Sequence, residues 1–329
     1  MTKKHTAFSG IQPSGTLHIG NYLGAIKQWL PLQNDHDCIF AVVDYHAITV
    51  PYQPIDMRGR ILDAALDYLA AGLDPKKVTL FVQSRVPEHT ELAWLLSTVT
   101  PLSELHRMTQ YKEKAAQYSA AINTGLITYP ILMAADILLY NTHVVPVGED
   151  QEQHVELTRT IARKFNKRFG ETFTVPKVQL TEAKRVMSLA DPTRKMSKSL
   201  GPKHYVALTD DEKTIRAKVA KAVTDIGGTP QGELSPGVRN LFMLLKEFGQ
   251  TADYLRFENA HAGGTIKYSE LKAAVADGIV KHLTPFQERR SALAREPKKI
   301  WAILEHGAER ARPIAQKTMA RVKQAMGLI

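Results

Sequence analysis

Along the first 180 residues the apolar positions switch between two periods. Thr6 to Ile11 alternates around Phe8 and ends on an apolar residue, the pattern of a strand. Gln12, Pro13, Ser14 and Gly15 supply turn chemistry before an apolar-periodic segment begins near Leu17, so strand, loop and helix follow in order. Cys38 to Val43 is a continuous apolar run, as in a strand buried on both faces. Pro54 opens a helix with Ile61, Leu62, Ala65, Leu66 and Leu69 at helical spacing, and Gly72 ends it. Val78 to Val82 is the next strand, followed by Gln83, Ser84 and Arg85. This alternation predicts an α/β fold with a doubly wound parallel sheet.

Glu88 to Val99 and Pro101 to Lys114 read as helices, the second capped by Thr100. A helix is predicted from about Tyr129 to Tyr140, then a short strand at Val144 to Val147 and a helix running from Gly148-Glu149-Asp150-Gln151 to about Phe169. Beyond Ser199 helical patterns follow without strands between them: one opened by Thr209-Asp210-Asp211-Glu212, then Asn240 to Phe248, Tyr268 to His282, and Pro285 to the end. Gly227 to Gly237 reads as a long loop. The C-terminal part is thus all-helical.

Composition refines this only slightly. At 329 residues, with 44% hydrophobic and 23% charged residues, the chain suits two domains of ordinary globular character. Its net charge of +10 is concentrated at the end: Lys281 to Ile329 holds eleven Lys or Arg against four Glu. A polyanion such as RNA is the natural partner of such a tail, and a solvated basic face is the alternative. The single Cys38 excludes an intramolecular disulfide and a thiolate metal cluster. No apolar run reaches membrane length and no leader pattern precedes the first strand, so a cytoplasmic protein is expected.

Three places carry candidate chemistry. Gly10, Gly15 and Gly20 allow close approach to a bulky anion, and the first N–H groups of the following helix would point at it. His18 and Asn21 share a face of that first turn, although a glycine-rich turn with a surface histidine would look the same. Lys195-Met196-Ser197-Lys198-Ser199 gathers two ammonium groups and two hydroxyls, and by itself equally describes a basic surface loop. Tyr129, Met133, Asp136 and Tyr140 are spaced four, three and four, so they share one helical face. A carboxylate on that face needs a donor, which is either a structural neighbour or a ligand such as an indole N–H. His46, at the end of the second strand, reads as structural more readily than catalytic.

His18-Ile19-Gly20-Asn21 paired with Lys195-Met196-Ser197-Lys198-Ser199 resembles the HIGH and KMSKS signatures of class I aminoacyl-tRNA synthetases, and Asn21 in the last place of the first signature fits the tryptophan and tyrosine branch. Gly10 to Gly15, Asp44 to Val50, Arg107 to Gln110, Met133 to Tyr140 and Val147 to Gln151 are similar to the bacterial tryptophanyl members. The resemblance implies a Rossmann-like catalytic domain over residues 1–200 with a helical insertion at about 85–140, and a helical anticodon-binding region over 201–329. It implies activation of L-tryptophan by ATP and transfer to tRNA(Trp), by a homodimer.

By the same resemblance, His18, Asn21, Lys195 and Lys198 would be catalytic, with Mg²⁺ carried on the ATP phosphates and no metal site in the protein. Gln12, Pro13, Ser14, Gly20, Asn21, Gly148, Glu149, Asp150, Val186 and Lys195 through Ser199, including Met196 and Ser197, would contact ATP. Asp136, Tyr129, Met133, Phe8, Gln110 and His46 would form the tryptophan pocket. The family usually has an acid after KMSKS where this chain has Leu200-Gly201. Three other readings stay open: a tyrosyl-tRNA ligase, another nucleotidyltransferase sharing the first loop, and a non-catalytic RNA-binding relative. Amino-acid-dependent ATP turnover separates them.

Overall fold

Four of the five strands form where the sequence pattern predicts them. In the computed structural model, which describes residues 4–109, 123–180, 185–225, 227 and 233–329, β1 (Thr6–Ile11), β2 (Asp37–Val42), β3 (Thr79–Val82), β4 (Val144–Val147) and β5 (Lys177–Leu180) make one parallel sheet in the order β3-β2-β1-β4-β5. Phe8 is in register with Ile39, Phe40 with Leu80, and Val145 with Val178. β2 and β3 are buried on both faces because helices cover the sheet on each side. β1 and β4 meet at the Ala7–Val144 pair, where the strand order reverses, and Pro146 brings no N–H to the ladder. In such sheets the crevice at the reversal, beyond the carboxyl ends of the strands, is the ligand site.

After β1 the chain forms α1 (Ile19–Asn21), a π-turn at Tyr22–Ile26 and α2 (Lys27–Asp35), with Pro31 accommodated inside. α3 (Asp44–Ala47) and α4 (Pro54–Ala71) follow β2; α4 starts on Pro54 and stops at Gly72, whose φ of 116° only glycine adopts without strain. Between β3 and β4 lie α5 (Glu88–Ser97), α6 (Leu102–His106) and α7 (Thr124–Leu138), and α8 (Glu149–Phe169) follows β4. The later helices are α9 (Glu212–Ala220), α10 (Pro236–Phe248), α11 (Thr251–Ala262), α12 (Tyr268–Ala294) and α13 (Pro297–Ala325).

Several boundaries differ from the sequence expectation. Thr100 does not cap α6: its hydroxyl donates back to the Leu96 carbonyl, and Pro101 holds the cap position. α7 begins earlier than expected, at the Asn123 cap, whose side chain accepts from Leu126 N. Pro285 does not separate two helices but sits within α12, while β5 and α11 had no recognised signal.

The chain divides into two compact units, and not at residue 200. The first comprises 1–15, 25–183 and 293–329; the second comprises 16–24 and 184–292. The basic C-terminal helix α13 therefore belongs with the sheet, where Ala308, Ala311, Ala315, Met319 and Val322 join Phe81, Leu92, Leu96 and Ile137 in one buried core. In the second unit His18 bridges Ala207, Met187 bridges Lys195, and the Gln287 side chain donates to the Leu208 and Asp210 carbonyls.

Candidate active site

In the sheet unit, polar groups converge on Asp136. This residue lies on α7, 2% exposed, and an uncompensated carboxylate there would be costly. Oδ1 accepts from Gln83 Nε2 at 2.7 Å and from His89 Nδ1 at 2.6 Å, and Oδ2 accepts from His46 Nε2 at 2.7 Å. Burial alone would raise the carboxyl, but the His46 and His89 imidazoles outweigh it and hold Asp136 below the ordinary carboxylate range. A carboxylate offers about four acceptor positions, so three protein donors leave one on Oδ2.

The donors are themselves fixed. His89 Nε2 lies 2.8 Å from the Tyr140 hydroxyl, and burial, then Asp136 and Glu88, push that phenol well above its usual range. A protonated phenol donates to Nε2, which places the imidazole proton on Nδ1, facing Asp136. Gln83 Oε1 accepts from Tyr45 N at 3.2 Å, orienting its amide toward the carboxylate. Asp44 Oδ1 accepts from Ser84 N at 3.0 Å, tying together the segments that follow β2 and β3.

Around this centre stand the expected aromatic residues. Phe8 stacks on Tyr140 at 5.7 Å, Tyr129 meets His46 edge to face at 6.2 Å, and half-buried Met133 packs on the same core. The Tyr129 hydroxyl is 2.8 Å from His154 Nε2, so buried His154 fixes the Tyr129 ring. Gln110 lies outside the described residues, as do the side chains of Glu149 and Asp150.

Gln12, Pro13 and Ser14 follow β1, with Ser14 N donating to the Gln12 carbonyl at 2.7 Å, and Gly15 turns the chain at φ 90°. Gln12 Nε2 donates to the His46 carbonyl at 3.3 Å. Gly148 caps α8 beyond β4, so both loops lie at the carboxyl edge where the strand order reverses.

The second unit brings the two signature stretches together. His18 is the N-cap of α1: Nδ1 accepts from Gly20 N at 3.1 Å and Asn21 N at 3.3 Å, while Asn21 Oδ1 accepts from His18 N at 3.1 Å. Ile19 N donates to the Val206 carbonyl at 3.0 Å. These bonds correct the expectation that the first helical N–H groups point at a ligand, because His18 and Val206 already satisfy them. Nδ1, accepting twice, carries no proton, so the neutral ring presents Nε2–H as its donor. Burial, then the Lys198 and Lys195 ammonium groups, push the His18 imidazole down to about 4. Gly20 is required by proximity: a Cβ there would stand 2.9 Å from His18 Nδ1 and 3.6 Å from Val186 Cβ.

Lys195 is exposed and Lys198 half-buried, whereas Met196 is 3% exposed and anchors the loop, its N–H bonded to the Val186 carbonyl at 2.9 Å. Ser197 and Ser199 hydroxyls lie 3.0 Å apart. Lys198–Leu200 forms a single 3₁₀ turn, and Gly201 at φ 102° takes the conformation that an acid in its place would resist.

Sequence reasoning missed Gln83, His89 and the Tyr140 hydroxyl as members of the first site. Gln83 had one usable signal, its place as the first polar residue after β3, at the ligand-binding edge of the sheet. His89 had none, because its partner is 47 residues away.

The profile described as tRNA synthetases class I (W and Y) matches residues 1–284. The tryptophan–tRNA ligase of Bacillus anthracis is 48% identical over 98% of this chain and 97% of its own length, and that of Bacillus subtilis is 46% identical over 99% and 98%. The crystal structure of tryptophanyl-tRNA synthetase from Campylobacter jejuni complexed with ADP and tryptophan superimposes with a TM-score of 0.83 at 35% identity, covering 98% of this chain and 99% of that one. The Mycoplasma pneumoniae tryptophanyl-tRNA synthetase gives 0.87 at 35% identity, with 98% of each chain covered.

Proposed function

The chain belongs to the class I tRNA synthetases of the W and Y family, and from that premise we infer that it is an ATP-dependent ligase joining L-tryptophan to tRNA. The observation that carries this reading is similarity to tryptophan–tRNA ligases over 98% of the chain, spanning both the unit that holds Asp136 and the unit that holds His18 and the two lysines.

The reaction has two steps. The tryptophan carboxylate attacks the α-phosphate of ATP, giving tryptophanyl-adenylate and releasing pyrophosphate; a terminal ribose hydroxyl of the tRNA then takes the tryptophanyl group and AMP departs. The attacking carboxylate is ionised at neutral pH, so activation needs no general base. It needs positioning and charge stabilisation. Lys195 and Lys198 stabilise the departing pyrophosphate, with Ser197 and Ser199 as hydroxyl donors. His18 contributes a neutral Nε2–H, and its depressed pKa supports that role across the physiological range. Asn21 acts through His18, as its reciprocal cap. Gln12 to Ser14 and Gly148 to Asp150 flank the nucleotide at the edge of the sheet. Mg²⁺ would be carried on the ATP phosphates, where it neutralises charge on the departing pyrophosphate.

Selection of tryptophan rests on Asp136. Its remaining acceptor position on Oδ2 takes the indole N–H, with Phe8, Tyr129, Met133 and His46 around the ring. Phenylalanine brings no donor, and sites of this kind reject such an analogue by about 10⁴ to 10⁵. A homodimer in the cytoplasm completes the proposal. Of the stretch Leu92 to Val99, Leu92, Leu95 and Leu96 are buried in the chain's own core, and Trp94, 72% exposed, is the residue offered to a second copy. No helix among the described residues is long and apolar enough to cross a membrane.

The test is ATP–pyrophosphate exchange run in parallel with tryptophan, tyrosine and phenylalanine. Exchange with tryptophan alone is expected. Exchange with tyrosine would overturn the pocket reading, and none with any of the three would overturn the activity.

A further inference from the structure

The cations of the basic C-terminal helix are directed largely at this chain itself. α13 lies against β3 at Gly307, where a Cβ would stand 1.8 Å from the Leu80 carbonyl oxygen, so only glycine allows helix and strand to come this close. Two arginines bracket that contact: Arg310 Nη1 donates to the Val78 carbonyl at 3.2 Å, and Arg312 Nη2 to the Arg85 carbonyl at 2.9 Å. Farther along, Arg321 Nη2 donates to Asn141 Oδ1 at 2.7 Å, Asn141 Nδ2 donates to the Thr318 hydroxyl at 3.1 Å, and Lys323 pairs with Glu91 at 2.6 Å. Asn141 has φ 49°, a left-handed backbone that asparagine tolerates and these bonds hold in place.

The three segments gripped by α13 build most of the Asp136 site; the fourth, α3, supplies His46 and is not one of them. The turn ending at Arg85 supplies Gln83, α5 supplies both Glu91 and His89, and α7 with the turn that follows it before Asn141 supplies Asp136 and Tyr140. Their hydrogen bonds of 2.6 to 2.8 Å demand close register. No local interaction imposes that register, since the partners are 47 to 53 residues apart. A helix of 29 residues is about 43 Å long, enough to touch all three.

We propose that α13 is a positioning element for amino-acid recognition, in which Arg312, Arg321 and Lys323 hold the Gln83, Asp136 and His89 segments in register from the face of the sheet unit. This rests on Asp136 being the acceptor for the indole N–H. The basic tail then serves the amino-acid pocket through intramolecular contacts, and its charge is not by itself a footprint for RNA.

The test is tryptophan-dependent pyrophosphate exchange by the full chain. It compares the wild type, the double variant Arg312→Ala/Arg321→Ala, the variant Arg312→Lys/Arg321→Ala, the exposed control Lys317→Ala, and Asp136→Asn. In the double variant the KM for tryptophan is expected to rise about three- to tenfold and discrimination against phenylalanine to fall by a similar factor, with kcat and the ATP KM within about twofold of wild type. Lysine at 312 restores part of the loss, because its ammonium can still donate to the Arg85 carbonyl. An unchanged tryptophan KM in the double variant overturns the proposal, as does a fall in kcat at constant KM, which marks a merely structural role. Asp136→Asn reports on the premise: unchanged tryptophan selection there removes the pocket reading itself, whatever the α13 variants do.

Discussion

His18 and Asn21 cap one another: the imidazole Nδ1 accepts from the Asn21 N–H at 3.3 Å, and the Asn21 side-chain oxygen accepts from the His18 N–H at 3.1 Å. Asn21 therefore fixes the histidine ring, and in the proposed reaction it acts through that histidine. Asn21→Ala should cost about 1 kcal/mol of stability, as for loss of a helix cap, and should slow pyrophosphate exchange while the KM for tryptophan stays within about twofold. Thermal unfolding and exchange kinetics on the same preparation check both parts. A large rise in the tryptophan KM would contradict the assignment.

The same ring makes a prediction about pH. His18 has a folded pKa of about 4, below the ordinary imidazole value of 6.5, so between these values the unfolded chain binds more protons than the folded one. Its contribution is fully present above pH 6.5, declines as pH falls toward 4, and is gone below that. The whole window is worth about 3 kcal/mol. Denaturant unfolding at pH 7, 5.5 and 4.5 should show this slope in wild type and a shallower one in His18→Asn. The pH profile of exchange should carry no His18 limb near 6.5.

Asp136 holds three buried donors, so replacing it exposes all of them at once. Asp136→Ala leaves Gln83, His89 and His46 without their acceptor and should destabilise the fold by about 3 to 5 kcal/mol. Asp136→Asn keeps the shape and should raise the tryptophan KM and relax discrimination against phenylalanine. Calorimetry and parallel exchange assays with both amino acids measure the two effects, and unchanged selectivity would refute the role.

Tyr140 sets which nitrogen of His89 carries the proton. Tyr140→Phe removes the hydroxyl that donates to Nε2 while keeping the ring stacked on Phe8. The expected cost is about 1 kcal/mol of stability and a several-fold rise in the tryptophan KM, with the ATP KM unchanged. A uniform loss of kcat would instead assign Tyr140 to packing alone.

Lys198→Ala should lower the rate of activation by about 10² to 10³ with little change in tryptophan affinity, as for removal of a group that stabilises transition-state charge. Single-turnover adenylate formation with tryptophan titration separates the two. Equal effects on both would count against it.

The sequence by itself determined four of the five strands, the two signature stretches and Asp136, because each is written in neighbouring residues. Alternation gave β1, apolar runs of five or six residues gave β2 and β3, and helical spacing put Tyr129, Met133 and Asp136 on one face of α7, with Tyr140 in the turn just after it. Only the tertiary structure decided which donors meet Asp136, since Gln83, His89 and His46 arrive from 53, 47 and 90 residues away. It also decided that the N–H groups opening α1 are already bonded, and that α13 packs on the sheet rather than extending the helices before it. β5 was illegible for the same physical reason: four residues reading Lys-Val-Gln-Leu become a strand by pairing with β4, and local pattern does not record a partner that distant.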